Sequence, residues 1–485
     1  MKQISIKKNF IMNVLVSLSN ALFPLVTYLY AARILLPEGM GKYTFAASLI
    51  AWFSMFAQLG IPEYGVRAAA KARDSRVELT RTAHELIMIN LIMNAAVYLA
   101  FFLALAVVPR LQEEKKLYIL MSVTILLTSL GMEWLYKGLE RYGYIAVRTL
   151  ICKAAALTMV FLLVKEQKDY VVYGVLSIAA ASASNILNLV FAQKYIGFRP
   201  VGGYNLLRHM KPVLVFFAMA CATTVYTNLD VLMLGFMRSE ADVGIYNASV
   251  RVKSLLVSVI TALGTVMLPR AVYYVHHGRM EDFQSMSRKA LHFVFLAALP
   301  CLVFFSLFAG PTINLLSGPK FLAAVRPMRA LMPTLLLIGV TNILGLEIMV
   351  PTDRERYVLY SVVTGALVDL ILNAILIPKY AATGAAFSTL VAEACVLLMQ
   401  LWFLRKEARQ MFSEISYGRI LLALVPAVLM SFWITGLHWN GFITLALAAA
   451  LFFSAYGGTL LFIREPMALS LAGFVGKMLK KWKRI

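Results

Sequence analysis

The residues best suited to binding a ligand form a regular polar series inside an apolar stretch of the chain. Steps of four, three, four, three and four residues separate its members: Asn247, Arg251, Ser254, Ser258, Thr261 and Thr265. This period places all six side chains on one face of a helix. Close packing of small residues explains Ser254 and Ser258, but it does not explain Arg251. We therefore predict a polar binding surface, with Asn247, Arg251 and Ser254 as ligand candidates.

A second polar series lies in the preceding apolar stretch and ends in a carboxylate. Its members recur at helical spacing: Thr223, Tyr226, Thr227 and Asp230. The hairpin that joins the two stretches turns near residues 239 and 240. Asp230 and Arg251 therefore lie at similar depth in their helices. We predict that they approach one another, directly or through a substrate or water, and that Thr227 contributes to the same site.

Three further charged residues are candidates with open alternatives. Arg33 falls roughly opposite the polar face of the first apolar stretch. A kink at Pro24 would turn Arg33 inward, and without one it would anchor the helix at the outer surface. Asp369 and Glu393 lie on the polar faces of two later stretches. They are either ion-coupling groups that bind a proton or cation, or members of a structural ion pair.

The composition identifies the elements that position these residues as membrane helices. Hydrophobic residues make up 61% of the 485 residues and charged residues 14%, with a mean hydropathy of +0.77. Soluble globular proteins have about a quarter of their residues charged. Apolar windows separated by short polar loops predict an all-α polytopic membrane protein. We place about fourteen transmembrane helices, near residues 11–34, 43–62, 85–108, 117–136, 145–164, 170–192, 213–236, 243–268, 292–316, 327–350, 357–377, 383–404, 419–437 and 441–463.

Short matches predict an internal repeat. They comprise a Gly-x-Tyr, a Leu-Gly-x-Glu and a glycine that opens an apolar stretch, with these pairs: Gly41 and Gly244, Glu133 and Glu347, Gly174 and Gly384. Because the copies lie an even number of spans apart, they point the same way across the membrane. We predict two six-helix lobes, residues 1–212 and 213–410. Residues 411–485 would add two helices and a basic cytoplasmic tail.

The net charge of +22 is explained by membrane topology. With the N-terminus inside, the inner segments hold roughly 31 Lys and Arg residues and the outer loops about 12. The positive-inside rule therefore predicts that both termini are cytoplasmic. The basic segments are expected to contact anionic membrane lipids. Nucleic-acid binding is not needed to explain the charge, and we predict no nucleic-acid partner.

The sequence contains no motif for catalysis or for a cofactor. There is no Walker-type glycine loop, and the six histidines show no metal-ligand spacing. The predicted outer loops have about ten residues or fewer. A membrane glycan polymerase or ligase would be expected to have a larger outer loop that holds its catalytic groups. We predict no enzymatic activity, no cofactor and no metal.

Three longer stretches indicate a family. They are Arg33-Ile-Leu-Leu-Pro-Glu-Gly-Met-Gly41; Tyr226-x-Asn228-x-Asp230-Val-Leu-Met-Leu-Gly235 with Val243-Gly-Ile-Tyr-Asn-Ala248; and Leu372-Asn-Ala-Ile-Leu-Ile-Pro-Lys-Tyr380 with Gly384-Ala-Ala386. Together they resemble the polysaccharide biosynthesis flippases, which transport O-antigen and capsule oligosaccharides and share a superfamily with the multidrug and toxin extrusion antiporters. The resemblance spans nearly the whole chain. Leu36 and Ala381 stand in turns where the family usually has Gly.

The resemblance implies two six-helix lobes around a cavity that alternates between the membrane faces. It also implies a bacterial plasma-membrane protein that moves an oligosaccharide on a polyprenyl pyrophosphate carrier from the inner to the outer leaflet. A face lined by hydroxyls and amides suits sugar, and Arg251 suits pyrophosphate. A polysaccharide polymerase and glycosyltransferases are the expected protein partners. Two alternatives stay open: a cation-coupled multidrug antiporter, centred on Asp230, Asp369 or Glu393, and a lipid II flippase.

Overall fold

The protein is all-α in the part of the chain that the structure describes, and the predicted fold class is confirmed there. The computed structural model describes residues 6–413, 415–436, 441–470 and 472–473, and none of them lies in a β-strand. The chain packs as two compact units, Met1–Gly244 and Ile245–Ile485. The predicted lobe boundaries after residues 212 and 410 concern the repeat, and they stay predictions.

The first unit contains nine helices and the start of a tenth. They are α1 (Ile6–Gln58), α2 (Ile61–Ala72), α3 (Arg76–Val107), α4 (Pro109–Gln112), α5 (Lys115–Leu130), α6 (Glu133–Gly138), α7 (Tyr142–Leu163), α8 (Tyr170–Ala192), α9 (Leu207–Met237) and the first residues of α10 (Glu240–His276). A short 3₁₀ helix, Gln167–Asp169, precedes α8.

The second unit contains the remainder of α10 and eight more α-helices. They are α11 (Met280–Leu307), α12 (Ala309–Ser317), α13 (Val325–Leu331), α14 (Thr334–Asn342), α15 (Glu355–Phe403), α16 (Arg405–Phe412), α17 (Tyr417–Phe432) and α18 (Gly441–Phe462). A π-helix, Ile343–Met349, continues α14, and 3₁₀ helices occupy Pro319–Ala324 and Trp433–Gly436.

The two longest helices are each broken at one residue. Helix α1 has 53 residues and α15 has 49, so each contains enough residues for two spans of about 20 residues. The breaks are Leu36, with φ 60° and ψ 177°, and Ala381, with φ 48° and ψ −130°. Both residues occupy conformations that favour glycine. These are the two turn positions at which the sequence departs from the family's glycine.

The helices are long and apolar enough for a multi-pass membrane protein. In the described residues, nine helices meet this test, or eleven when each of two bent pairs counts as one span. The bent pairs are Leu207–Val225 with Thr227–Met237, and Pro319–Leu331 with Thr334–Met349. The nine include the broken α1 and α15, and the 16-residue α17 is a shorter apolar helix. The predicted number of fourteen stays a prediction.

The glycines that open the two Gly-x-Tyr copies pack against each other's turns inside the first unit. A Cβ atom added to Gly41 would lie 1.7 Å from the Glu240 carbonyl oxygen and 3.0 Å from the Gly244 nitrogen. A Cβ atom added to Gly244 would lie 2.0 Å from the Pro37 carbonyl oxygen. Only glycine permits this approach of two backbones. The repeated motif therefore forms a contact between α1, just after its break at Leu36, and the start of α10.

Candidate functional site

A break between α5 and α6 sets the position of a charged group in the first unit. Met132 adopts a left-handed conformation, with φ 45° and ψ 35°, so that Glu133 begins a new helix. Close packing fixes the break, because a Cβ atom on Gly131 would lie 2.3 Å from Asn185 Oδ1 on α8. On the other side, a Cβ atom on Gly65 of α2 would lie 2.6 Å from the Trp134 ring. The backbone at the start of α6, where Glu133 lies, is thereby fixed between packed helices.

Glu133 belongs to a charged network that joins α6, α7 and α8. Its carboxylate lies 3.0 Å from Lys137 Nζ and 3.3 Å from an Arg148 guanidinium nitrogen. Arg148 is 5% exposed and also donates a hydrogen bond to Asn188 Oδ1. The Tyr144 ring lies 5.6 Å from the Arg148 guanidinium carbon. A buried guanidinium needs such partners, because removing the charge from water is costly.

This network borders a cavity of about 380 Å³ within the first unit. The wall contains one carboxylate and three basic side chains, surrounded by amides and hydroxyls: Glu133, Lys137, Arg148, Lys153, Asn20, Gln58, Thr128, Thr149, Ser177, Ser184 and Asn185. Lys153 donates a hydrogen bond to Asn20 across the cavity wall. The basic side chains outnumber the carboxylate, so the cavity carries net positive charge.

Three buried hydrogen-bond donors in or beside the wall of this cavity have no partner. In the described residues, Arg148 Nε, Asn188 Nδ2 and Trp134 Nε1 are buried and have no hydrogen-bond partner. A ligand rich in acceptor oxygens would satisfy such donors, and an anionic one would also balance the charge. Within the described chain there is no group of three or more His, Cys, Asp or Glu side chains that is placed to hold a metal ion. The site suits binding of an anion or a sugar.

Three of the predicted site residues lie in the first unit. Arg33 is exposed on α1, three residues before the break at Leu36. Thr227 is exposed on α9 and donates a hydrogen bond to the Thr223 carbonyl oxygen at 2.8 Å. Asp230 is half-buried on the same helix. None of the three is among the residues that line the cavity.

Three more predicted residues lie on α10 in the second unit. This helix runs unbroken from Glu240 to His276, and the shared binding face stays a prediction. Asn247 is buried, Arg251 half-buried and Ser254 exposed. Asp230 belongs to the first unit and Arg251 to the second, so their approach stays a prediction.

The two possible ion-coupling residues are both buried in α15. Asp369 accepts a hydrogen bond from Asn373 Nδ2 at 3.0 Å, and Glu393 is 2% exposed. On the same helix, the Thr389 hydroxyl lies 3.2 Å from the Tyr246 hydroxyl of α10. Asp369 is thus a buried carboxylate with an amide donor on its own helix, as a coupling group or a structural carboxylate would be. Its role stays a prediction.

The sequence did not reveal the network around Arg148. In the sequence, Glu133 is recognisable only as part of the repeat. The available signal was the pair Arg148 and Lys153, two basic residues inside a predicted span. Ionisable residues inside a membrane span are rare and indicate a functional site.

Comparison with known proteins places the chain among membrane exporters. It is 23% identical over 406 residues to an Escherichia coli (strain K12) protein named "Putative O-antigen transporter", covering 83% of this chain and 97% of that protein. Its fold is similar to lipid II flippase MurJ in an inward closed conformation, with TM-score 0.72 and 17% identity, over 94% of this chain and 100% of that one. It is also similar to an inward-facing multidrug resistance MATE family transporter of the MOP superfamily, with TM-score 0.64 and 11% identity, over 81% and 95%.

Two family models match the sequence itself. The MatE model matches residues 214–375. The model described as polysaccharide biosynthesis protein matches residues 6–275, which is more than half of the chain and includes the cavity, α9 and most of α10. The resemblance seen in the three sequence stretches is therefore confirmed, and this chain belongs to the family of polysaccharide biosynthesis proteins.

Proposed function

We propose that this protein is a flippase that moves a polyprenyl-pyrophosphate-linked oligosaccharide from the inner to the outer leaflet by alternating access, for synthesis of a surface polysaccharide. The observation that carries the proposal is the donor-rich, positively charged cavity inside a helical membrane unit. Family membership and the similarity to a protein named as an O-antigen transporter support it. The similarity to a lipid II flippase supports the fold that alternating access requires.

The chemistry of the cavity matches the two polar parts of such a substrate. A pyrophosphate is acceptor-rich and anionic, and Arg148, Lys153 and Lys137 would offer it charge-assisted hydrogen bonds. Arg binds such groups through two parallel hydrogen bonds, which a single ammonium cannot do. The hydroxyls and amides of the wall, such as Ser177 and Asn20, suit the hydroxyl groups of a glycan.

The residues predicted from the sequence take complementary roles in this proposal. Arg251 pairs with the pyrophosphate or with Asp230, and four others contact the substrate: Asn247, Ser254, Thr227 and Arg33. Asp369 and Glu393 are the ion-coupling carboxylates. Their burial supports this role, because a buried carboxylate in a membrane helix requires a partner or a function.

The proposal includes a cellular setting. The protein resides in the bacterial plasma membrane with both termini in the cytoplasm, and its lobes are residues 1–212 and 213–410 with a two-helix extension. Anionic lipids contact its basic inner segments. Glycosyltransferases supply its substrate on the inner face, and a polysaccharide polymerase uses the product on the outer face.

The cation-coupled multidrug antiporter is the second candidate, because the MatE model matches residues 214–375 and the fold is similar to a MATE transporter. In a cation-coupled antiporter, a carboxylate such as Asp230 or Asp369 would form the cation-binding site. The basic cavity of the first unit would then bind neither the cation nor a cationic drug. Lipid II flipping is a variant of the main proposal with a different glycan. The positively charged cavity favours an anionic substrate over the cationic drugs that many antiporters export.

Reconstituted protein would test the proposal directly. Proteoliposomes would contain a polyprenyl-pyrophosphate oligosaccharide with a nitrobenzoxadiazole label on the glycan, and external dithionite would bleach only outward-facing label. We expect wild-type protein to move labelled lipid from the inner to the outer leaflet, where dithionite bleaches it. The variant Arg251→Ala should lose this activity. Lys253→Ala is the matched control, because Lys253 is two residues away and points off the polar face.

The outcomes separate the candidates. Flipping by Arg251→Ala at the wild-type rate would remove Arg251 from the mechanism. No flipping by wild-type protein, together with dye efflux driven by a proton or sodium gradient, would replace the flippase by the antiporter. Preference for a lipid II analogue over other glycans would identify the cell-wall variant.

A further inference from the structure

A carboxyl group in the second unit is buried without any hydrogen bond. Glu347 lies in the π-helix Ile343–Met349 and is 0% exposed. Neither of its carboxyl oxygens has a hydrogen-bond partner in the described part of the chain. π-Helical turns are rare and occur frequently at functional sites. This group plays no part in the substrate binding proposed above.

Glu347 faces another unsatisfied acceptor across a glycine of α10. A Cβ atom on Gly264 would lie 2.9 Å from Glu347 Oε1 and 2.4 Å from Asn342 Oδ1. The Asn342 oxygen also has no hydrogen-bond partner among the described residues. Two unsatisfied oxygens, Glu347 Oε1 and Asn342 Oδ1, thus face the same glycine. A proton on the carboxyl group would convert one of them into a donor and reduce this mismatch.

In the described residues, no basic side chain donates a hydrogen bond to the Glu347 carboxyl group. The π-helix packs on α11, α14 and α15, and it faces α10 at Gly264. Helix α14 has no titratable residue, and His292 of α11 faces Glu465 at 2.9 Å. On α10, Arg270 and Arg251 are 6 and 13 residues from Gly264, which is about 9 and 20 Å along the helix. Glu347 thus combines full burial with two carboxyl oxygens that have no hydrogen-bond partner among the described residues.

We propose that Glu347 is a proton-binding site, occupied by a proton while the π-helix packs against α10. An ionised carboxylate in this position would lose its hydration without gaining a partner, so the group takes a proton instead. A metal ion is a poorer occupant, because hard cations take about six or more oxygen ligands in proteins. Two unsatisfied oxygens face Gly264 here.

Protonation is then linked to the packing of α10. Separation of α10 from the π-helix would admit water and let the carboxyl group ionise, so proton release accompanies opening. Because the packed state binds the proton more tightly than the open state, packing is stabilised at low pH and weakened as pH rises. The use of this proton in transport rests on the proposed flippase function. The protonation itself does not.

Infrared difference spectroscopy of the full-length protein in nanodiscs would test the site without a transport assay. At neutral pH we expect a carbonyl band from a protonated carboxyl group that Glu347→Gln removes. Glu133→Gln is the matched control, because Glu133 is the repeat copy but lies 3.0 Å from Lys137 and 3.3 Å from Arg148. The control variant should keep the band. The proposal would be overturned if the band persisted unchanged in Glu347→Gln. It would also be overturned if wild-type protein showed no such band.

Hydrogen–deuterium exchange supplies the second measurement. Protection of the peptides from α10 and from the π-helix should fall in wild-type protein as pH rises, after correction for the intrinsic exchange rate. In Glu347→Gln it should not depend on pH. If that variant does not fold, Glu347→Asp keeps a carboxyl group and should shift the infrared band; an unshifted band would contradict the assignment. Wild-type protein could show the infrared band and yet fail to flip lipid in the bleaching assay. That result would refute only the flippase proposal.

Discussion

Substitution of Gly41 by alanine tests whether the repeated Gly-x-Tyr motif is a helix contact. The alanine methyl group would lie 1.7 Å from the Glu240 carbonyl oxygen and 2.5 Å from its carbon. Ordinary contact begins at 3.4 Å, so the first distance is half of what the atoms need. The neighbouring atoms are backbone, which cannot rotate aside as a side chain can. Helix α1 and the start of α10 must therefore separate.

The expected cost follows from two opposing effects. Overpacking of a closely packed contact costs about 1–3 kcal/mol, and a clash between two backbones belongs at the upper end. Alanine in place of glycine in a helix recovers about 1 kcal/mol. We expect Gly41→Ala to lower the free energy of unfolding by about 2 kcal/mol. At about 2–4 °C per kcal/mol for a large domain, this corresponds to a fall in Tm of about 4–8 °C.

Thermal unfolding of purified protein in detergent, followed by intrinsic fluorescence, would measure this loss. Gly143→Ala is the control, because Gly143 lies in α7 and a Cβ atom there would meet nothing within 4 Å. Its Tm should stay the same or rise slightly. Gly244→Ala should resemble Gly41→Ala, and the double variant should lose less than the sum, since both disrupt one contact. Equal Tm values for Gly41→Ala and Gly143→Ala would refute the packing argument.

Further predictions concern the helix breaks and the charged network. Ala381→Gly should raise the free energy of unfolding by about 1 kcal/mol, because it relieves a left-handed φ of 48°, and an unchanged denaturation midpoint would argue against strain there. Leu36→Gly relieves similar strain but loses a half-buried leucine, so it should be close to neutral in the same measurement. Glu133→Gln should lower Tm, because loss of a hydrogen bond to a charged group costs about 1.5–3 kcal/mol and Arg148 is buried. Glu140→Gln, which breaks an exposed pair, should cost less than about 1 kcal/mol and is its control.

The helical fold was predictable because lipid leaves little choice of structure. Backbone polar groups in a bilayer must be satisfied within the chain, so apolar windows of about 20 residues become helices. The turn positions were also visible, since Leu36 and Ala381 are departures from a glycine pattern. The sequence could not reveal that the chain passes from one helical segment to the next through a single non-helical residue, because leucine and alanine rarely adopt a positive φ.

The candidate site was only partly predictable. The polar face of α10 follows from periodicity alone, because one helix contains all its members. The cavity of the first unit depends on which helices pack together, which spacing does not encode. Glu133, Arg148 and Asn188 are far apart in sequence and belong to α6, α7 and α8. The break at Met132 brings Glu133 to Arg148, and a left-handed methionine has no sequence signature.

The Leu-Gly-x-Glu repeat shows how one motif acquires two different uses. Both copies lie where a regular α-helix is interrupted, by a left-handed residue before Glu133 and by a π-helix around Glu347. Glu133 lies beside Arg148 and Lys137 and can stay ionised. Glu347 lies beside Gly264 and Asn342, with no donor for its oxygens in the described chain. The same carboxyl group therefore helps to hold a cationic site in one copy and favours a proton in the other. In a flippase coupled to this proton, Glu347→Gln should reduce the pH dependence of flipping in the bleaching assay, whereas Glu133→Gln should leave that pH dependence unchanged.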